Sequence, residues 1–239
     1  TTPEKEPTIP AKEPIAISLR EYQQALLTDA NKLFDGGQRS VLAYLPTGGG
    51  KTRVGAAAMA NWVLNERADG QCLFVVNRRT LLMQTRMALL DLGFHPDDVA
   101  TIGGSEGAAS RAGGEAGSTP ASSARVHLAM VQSLHERYLA AHSLAPYALA
   151  VVDECHAAAA PSYLKLLAAL PADGRVLGLT ATPFRSTPGE SLAAVFPCAA
   201  WGPSVSQLIE RRILVRPIVY GPKFAILPPK LEARKNAAQ

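Results

Sequence analysis

Five short apolar runs restrict the fold of this chain more than any other feature: SVLAYL (40–45), CLFVVN (72–77), VHLAMV (126–131), LAVVD (149–153) and RVLGLT (175–180). Each is rich in Val and Leu and is bounded by Gly, Pro or polar residues. Such runs suit strands buried on both faces, as in a parallel sheet covered by helices. Helical patterns lie between them at 51–67, 79–92, 132–141 and 162–169, and another at 19–34 precedes the first run and closes at Gly36-Gly37. Strand–helix alternation of this kind predicts an α/β doubly wound fold, a mostly parallel sheet with helices on both faces.

The 239 residues, 47% hydrophobic and 18% charged, suffice for a substantial core. No apolar run approaches the roughly 18–20 residues that span a bilayer, so no membrane segment is expected. The opening TTPEKEPTIPAKEP lacks the apolar core of a signal peptide and an initiator Met, and reads as part of a longer protein. Residues 1–16 are expected to be a flexible linker, residues 103–125 (almost without large apolar groups) a mobile surface insertion, and 221–239 the start of another linker. Three widely spaced cysteines without CxxC spacing argue against a disulfide framework or a zinc site and for an intracellular compartment. Nothing in the residues separates nucleus, cytoplasm or an organelle such as the mitochondrion. A net charge of +4 is compatible with a polyanionic partner without requiring one.

Between the first run and the following helix stands PTGGGKT. A phosphate loop needs backbone N–H groups turned inward, hence glycines, and then a helix whose N-terminus faces the anion. Thr47, Gly48, Gly49 and Gly50 would form the cradle, Lys51 would reach the β- and γ-phosphates, and the Thr52 hydroxyl would ligate Mg²⁺. The strict pattern G-x-x-x-x-G-K-[ST] has Leu45 where its first Gly belongs. The plainer reading is a glycine-rich turn with an exposed Lys.

The run LAVVD ends in Asp153-Glu154. In a parallel sheet the strand ends of this kind share one edge, where ligands bind. Asp153 would hold Mg²⁺, and Glu154 would orient and deprotonate the attacking water. Taken alone, an acidic pair here would more simply cap the next helix.

In that order, PTGGGKT, VVDECH and LGLTATPFR resemble motifs I, II and III of superfamily 2 helicases and translocases, over about residues 17–220. The resemblance implies the first RecA-like ATP-binding domain, with ATP and Mg²⁺ as cofactors. LREYQQ resembles the Q-motif, in which Gln23 would read the adenine edge with Arg20 and Tyr22 nearby; otherwise it is the start of an amphipathic helix. VVNRRTLLMQ resembles motif Ia, with Arg78 meeting the nucleic-acid backbone; its plain reading is a solvated arginine pair. TIGG and VHLAMVQSL match motifs Ib and Ic, where Gly103, Gly104, Gln132 and Ser133 would contact phosphates. Thr180 and Thr182 would couple the ATP site to the strand-binding face with help from His156, and Arg185 matches a basic residue that follows motif III. ECHAAAAPSY and TATPFR look most like the branch of restriction-type and excision-repair-type helicases, although Ala157 stands where that branch often has a second His.

The resemblance further implies a nucleic-acid partner, DNA favoured over RNA, and a second RecA-like domain in cis. No Q-x-x-G-R-x-x-R motif occurs in these 239 residues. Without that domain's arginine, worth on the order of 10³–10⁵ in rate, the segment alone should turn over ATP poorly. The alternatives are a RecA-like switch or scaffold with little turnover, and an unrelated P-loop kinase or transferase. Trp62 and Trp201 are expected to pack rather than stack on bases. The remaining histidines, His95, His127, His135 and His142, lack metal-ligand spacing. The glycine usual in the turn after SVSQLIE is replaced within Arg211-Arg212.

Overall fold

The computed structural model describes residues 14–65, 70–103, 124–183 and 192–218. All five apolar runs form strands: β1 (Ser40–Tyr44), β2 (Gln71–Val76), β4 (Val126–Met130), β5 (Tyr147–Val152) and β6 (Arg175–Thr180). Two more, β3 (Val99–Ile102) and β7 (Cys198–Trp201), occupy the edges. The seven-stranded sheet runs β3-β4-β2-β5-β6-β1-β7, and every pairing is parallel.

The helices are α1 (Glu21–Asp35), α2 (Lys51–Met59), α3 (Arg79–Asp91), α4 (Glu136–Ala141), α5 (Pro161–Ala169) and α6 (Val205–Glu210). Parallel pairing requires a crossover between successive strands. Among the described residues α2, α3, α4 and α5 supply those from β1 to β2, β2 to β3, β4 to β5 and β5 to β6, while α1 precedes β1 and α6 follows β7. Successive strand residues point to opposite faces, so each central strand feeds two cores. Phe74 belongs to the core under α1, α2 and α3, and its neighbours Leu73 and Val75 to the core under α5. The doubly wound architecture expected from the sequence is therefore present.

Helix α2 is buried almost all round, and small residues let it lie close to the sheet. A Cβ on Gly55 would come within 3.1 Å of Leu179, Phe74 and Val151 side chains. The helical pattern expected over 51–67 does not stay α-helical: Ala60–Leu64 form a π-helical turn, closed by the Asn65 N–H on the Ala60 carbonyl at 3.0 Å. That wider turn carries Trp62 edge-on to Phe34, with ring centroids 5.3 Å apart, and the Arg175 guanidinium lies over both rings. Trp62 thus packs, as expected. Trp201, on edge strand β7, is 54% exposed and tilts against Tyr44 at 5.4 Å, so its packing is one-sided. The expected helix over 132–141 is a 3₁₀ turn at Val131–Ser133 followed by the short α4.

The end of the expected N-terminal linker is anchored within the described residues. Ile15 exchanges backbone hydrogen bonds of 3.0 Å with the Asn65 side-chain amide, and Ile15 and Ile17 pack against the core. Linker residues 1–13, insertion residues 104–123 and the tail 221–239 lie outside the described residues. At the other end, α6 closes with the Arg212 N–H on the Ile209 carbonyl and the Ile213 N–H on the Leu208 carbonyl. That is the Schellman pattern, which needs a left-handed residue. Arg212, at φ 57°, occupies the position a glycine would take without strain.

Candidate nucleotide site and nucleic-acid face

Because all seven strands run parallel, their C-terminal ends meet on one edge. The strand order places β6 between β1 and β5. The loop after β1, the acidic pair after β5 and the Thr180–Thr182 segment after β6 therefore sit side by side. The Leu45 N–H donates to the Thr180 carbonyl at 3.0 Å, and the Asp153 N–H to the Val75 carbonyl at 2.9 Å, so each loop leaves the sheet in register.

The glycine loop owes its shape to backbone requirements. Gly48 and Gly50 have φ of 80° and 89°, left-handed values that cost most L-residues about 1–2 kcal/mol. The Gly49 N–H donates to the Pro46 carbonyl at 2.9 Å. Gly50 is the N-cap of α2 and offers no side chain, so the first-turn N–H groups of α2 have no side-chain cap. That leaves a positive helix end open towards the loop.

The loop is fastened from below by α1. The Tyr22 hydroxyl and the Gln23 Nε2 both donate to the Gly49 carbonyl, each at 2.9 Å. A cavity of about 380 Å³ opens beside it, lined by Ser18, Leu19, Arg20, Gln23, Arg53 and the loop glycines. Arg20 and Gln23, singled out from the sequence, are joined there by Arg53, which sequence reading missed. The signal available was its place on the first turn of the helix that starts at Lys51. Leu214 was missed too: a Cβ on Gly48 would stand 2.8 Å from its Cδ2, so the chain beyond α6 lies against the loop.

Across β6, Glu154 adopts a left-handed conformation (φ 49°, ψ 46°), rare for a side chain of its kind and a recurrent feature of functional sites. Its carboxylate approaches Lys51, with Nζ 3.5 Å from Oε1 and side-chain exposures of 11% and 29%. His156 Nδ1 lies 3.3 Å from Glu154 Oε2 without the alignment of a hydrogen bond. Asp153 is buried; one carboxylate oxygen accepts the Glu154 N–H at 2.9 Å. Burial pushes its carboxyl above the usual range, against the pull of that hydrogen bond. Cys155 is fully buried, and burial likewise pushes its thiol up, so it fills space. Thr180 is fully buried, and its Oγ1 accepts the Thr182 N–H at 3.0 Å.

The other half of the edge gathers the residues matched to motifs Ia, Ib and Ic. Arg78 is exposed at the N-cap of α3, directly after β2. Gln132, after β4, is exposed and donates its Nε2 to the Asn77 carbonyl at 3.2 Å. Gly103, after β3, has φ 76°, and a Cβ there would stand 2.5 Å from Ser133 Oγ. Arg78, Gly103, Gln132 and Ser133 are thus brought together, although they come from three strand ends. Gly104 and Arg185 lie outside the described residues.

Residues 16–185 match the family profile of the Type III restriction enzyme, res subunit (ResIII). Over 143 residues, 59% of the chain, it is 32% identical to the Type I restriction enzyme EcoKI endonuclease subunit of Escherichia coli K12. Over 220 residues, 88% of the chain, it is 29% identical to the putative mitochondrial ATP-dependent helicase irc3 of Schizosaccharomyces pombe. The chain spans 12% of the former's length and 33% of the latter's. Among solved structures, its fold is similar to the Type ISP restriction-modification enzyme LlaGI, solved with a DNA substrate mimic (TM-score 0.61, 17% identity, 82% of this chain and 21% of that one). It is also similar to the Hef helicase domain of Pyrococcus furiosus (TM-score 0.60, 24% identity, 76% of this chain and 37% of that one). With the profile covering most of the chain and the loop, acidic pair and TAT segment on one sheet edge, the chain belongs to the ResIII family, as a RecA-like domain of the restriction-like branch of superfamily 2 helicases.

Proposed function

We propose that this chain is the ATP-binding domain of an ATP-dependent helicase or translocase that couples hydrolysis to movement on DNA rather than RNA. The observation that carries the reading is the 3.5 Å approach of Lys51 and Glu154 beside the glycine loop, with Asp153 next to Glu154 and Thr180 on the strand between. In this reading Thr47, Gly48 and Gly50 offer N–H groups to the phosphates, Gly49, its own N–H held by the Pro46 carbonyl, shapes the cradle between them, and Arg20 and Gln23 belong to the base end of the site. Lys51 exchanges its Glu154 partner for the β- and γ-phosphates, which frees Glu154 to orient water and accept its proton.

The donor set suits Mg²⁺. Thr52 and Asp153 provide hard oxygens, and a divalent cation beside the buried Asp153 would hold it ionised. Bound Mg²⁺ supplies charge neutralisation across the transferred phosphate. Thr180, Thr182 and His156 couple the site to the face of Arg78, Gly103, Gln132 and Ser133, and Gly104 and Arg185, outside the described residues, join them in contacting the nucleic acid. That face binds the phosphate backbone, which positions a strand but carries no sequence information. The names of relatives support DNA: a restriction endonuclease subunit, and LlaGI with a DNA substrate mimic. A second RecA-like domain in cis supplies the missing arginine. Among the described residues no helix is long and apolar enough to cross a membrane.

The test is the ATPase rate of the longest natural protein containing this segment, with single-stranded DNA, duplex DNA, structured RNA or no polynucleotide. DNA should stimulate turnover most, and Lys51→Ala and Glu154→Gln should each abolish it. Tight ATP binding without turnover on any polynucleotide would leave a switch or scaffold instead.

A further inference from the structure

Behind the acidic pair lies a buried hydroxyl with nothing to bond. Tyr163, in the first turn of α5, is 2% exposed, and among the described residues its hydroxyl has no hydrogen-bond partner. Such groups are costly to bury and uncommon in folded proteins. Local packing sets its position: Pro161 starts α5, and the Tyr163 N–H donates to the Ala160 carbonyl at 3.0 Å. The ring joins the core that also holds Val152 and Cys155, the residues on either side of Asp153-Glu154. Residues 157–160 are four alanines, so that link offers the hydroxyl no polar side chain. Burial, then the neighbouring Cys155 and Asp153, push the phenol up to about 12, so the hydroxyl keeps its proton and is a donor.

Of those two neighbours, a thiol is a weak acceptor and a carboxylate a strong one. Asp153 is itself buried, and among the described residues its side chain has one hydrogen bond, from the Glu154 N–H to Oδ1. A carboxylate that holds a divalent cation is ionised, and in a buried site it draws the donors within reach. Outer donors of this kind fix the orientation of a metal ligand. Resting on the Mg²⁺ reading above, we infer that Tyr163 is a positioning residue whose hydroxyl donates to the Asp153 carboxylate when that carboxylate holds the cation beside a bound nucleotide. The bond that is missing in the free chain forms in the loaded one, which biases the site towards the metal-bound state.

Tyr163→Phe removes the hydroxyl and keeps the ring. Mn²⁺ in place of Mg²⁺ reports on the cation by electron paramagnetic resonance, with the full chain and a non-hydrolysable ATP analogue. The variant should bind Mn²⁺ about 10- to 100-fold more weakly, with its affinity for the analogue in EDTA unchanged. Its urea midpoint without nucleotide should equal or exceed that of the wild type, since an unpartnered group has left the core. Equal Mn²⁺ affinity in the two proteins overturns the inference and leaves the metal site standing. A lowered midpoint would show that the hydroxyl is already bonded in the free chain, and overturns it as well. Weakening of the analogue in EDTA by the same factor as Mn²⁺ would make Tyr163 a packing residue of the whole site rather than a positioner of Asp153. Failure of the wild type to take up Mn²⁺ with the analogue overturns the metal site itself, and this inference with it.

Discussion

Replacing Gly50 with Ala tests how the glycine loop is held. At φ 89° an L-residue pays about 1–2 kcal/mol for the left-handed backbone. The new methyl also collides with Gln23 Nε2 and drives it off the Gly49 carbonyl. Losing that buried hydrogen bond adds about 1–2 kcal/mol, so Gly50→Ala should destabilise by about 2–4 kcal/mol in all. Gln23→Ala removes the obstruction in advance. In that background Gly50→Ala should therefore cost only the backbone part, about 1–2 kcal/mol, leaving a coupling of about 1–2 kcal/mol between the positions. Urea denaturation of the wild type, both single variants and the double variant measures the cycle, with the slope checked for constancy. Increments for Gly50→Ala that agree within about 0.5 kcal/mol in the two backgrounds would refute the seating of Gln23 against the loop.

Three further outcomes are expected. His127 is buried edge-on to Tyr147, neither ring nitrogen has a partner, and burial pushes its pKa down to about 4. The unfolded chain, titrating near 6.5, binds the proton first, so the stability of the neutral ring is present above that pH and lost as pH falls towards 4. The loss should reach about 2 kcal/mol by pH 5 and be absent in His127→Leu, by denaturation at pH 7 and pH 5; parallel pH curves for the two proteins would disprove it. Arg212→Gly should raise the unfolding free energy from urea denaturation by about 0.5–1 kcal/mol, the left-handed strain relieved less the extra freedom of an unfolded glycine; a lowered value would mean that the Arg212 side chain contributes more than its backbone costs. Arg78→Ala should weaken polynucleotide binding alike on all sequences and reduce the salt slope by about 1, whereas an unchanged slope would remove Arg78 from the track.

Much of this protein was legible before folding. Buried strands of a parallel sheet must be apolar on both faces, so β1, β2, β4, β5 and β6 declare themselves as runs, and the glycine loop and the strand-end carboxylate pair declare themselves by residue type and spacing. The edge strands β3 and β7 did not, because each pairs on one side only and needs no such run: VATI and CAAW carry half-exposed positions that look like loop. Nor did the left-handed Arg212, whose conformation is imposed by the Schellman closure of α6 against residue type. Tertiary structure alone decided how the site is assembled. Lys51 meets Glu154 across 103 positions of sequence only because β6 separates β1 from β5, and Gln23 is spent on Gly49 only because α1 docks beneath the loop. Local composition records which surfaces are buried and which turns are tight, while long-range pairing determines which polar atoms remain free to act.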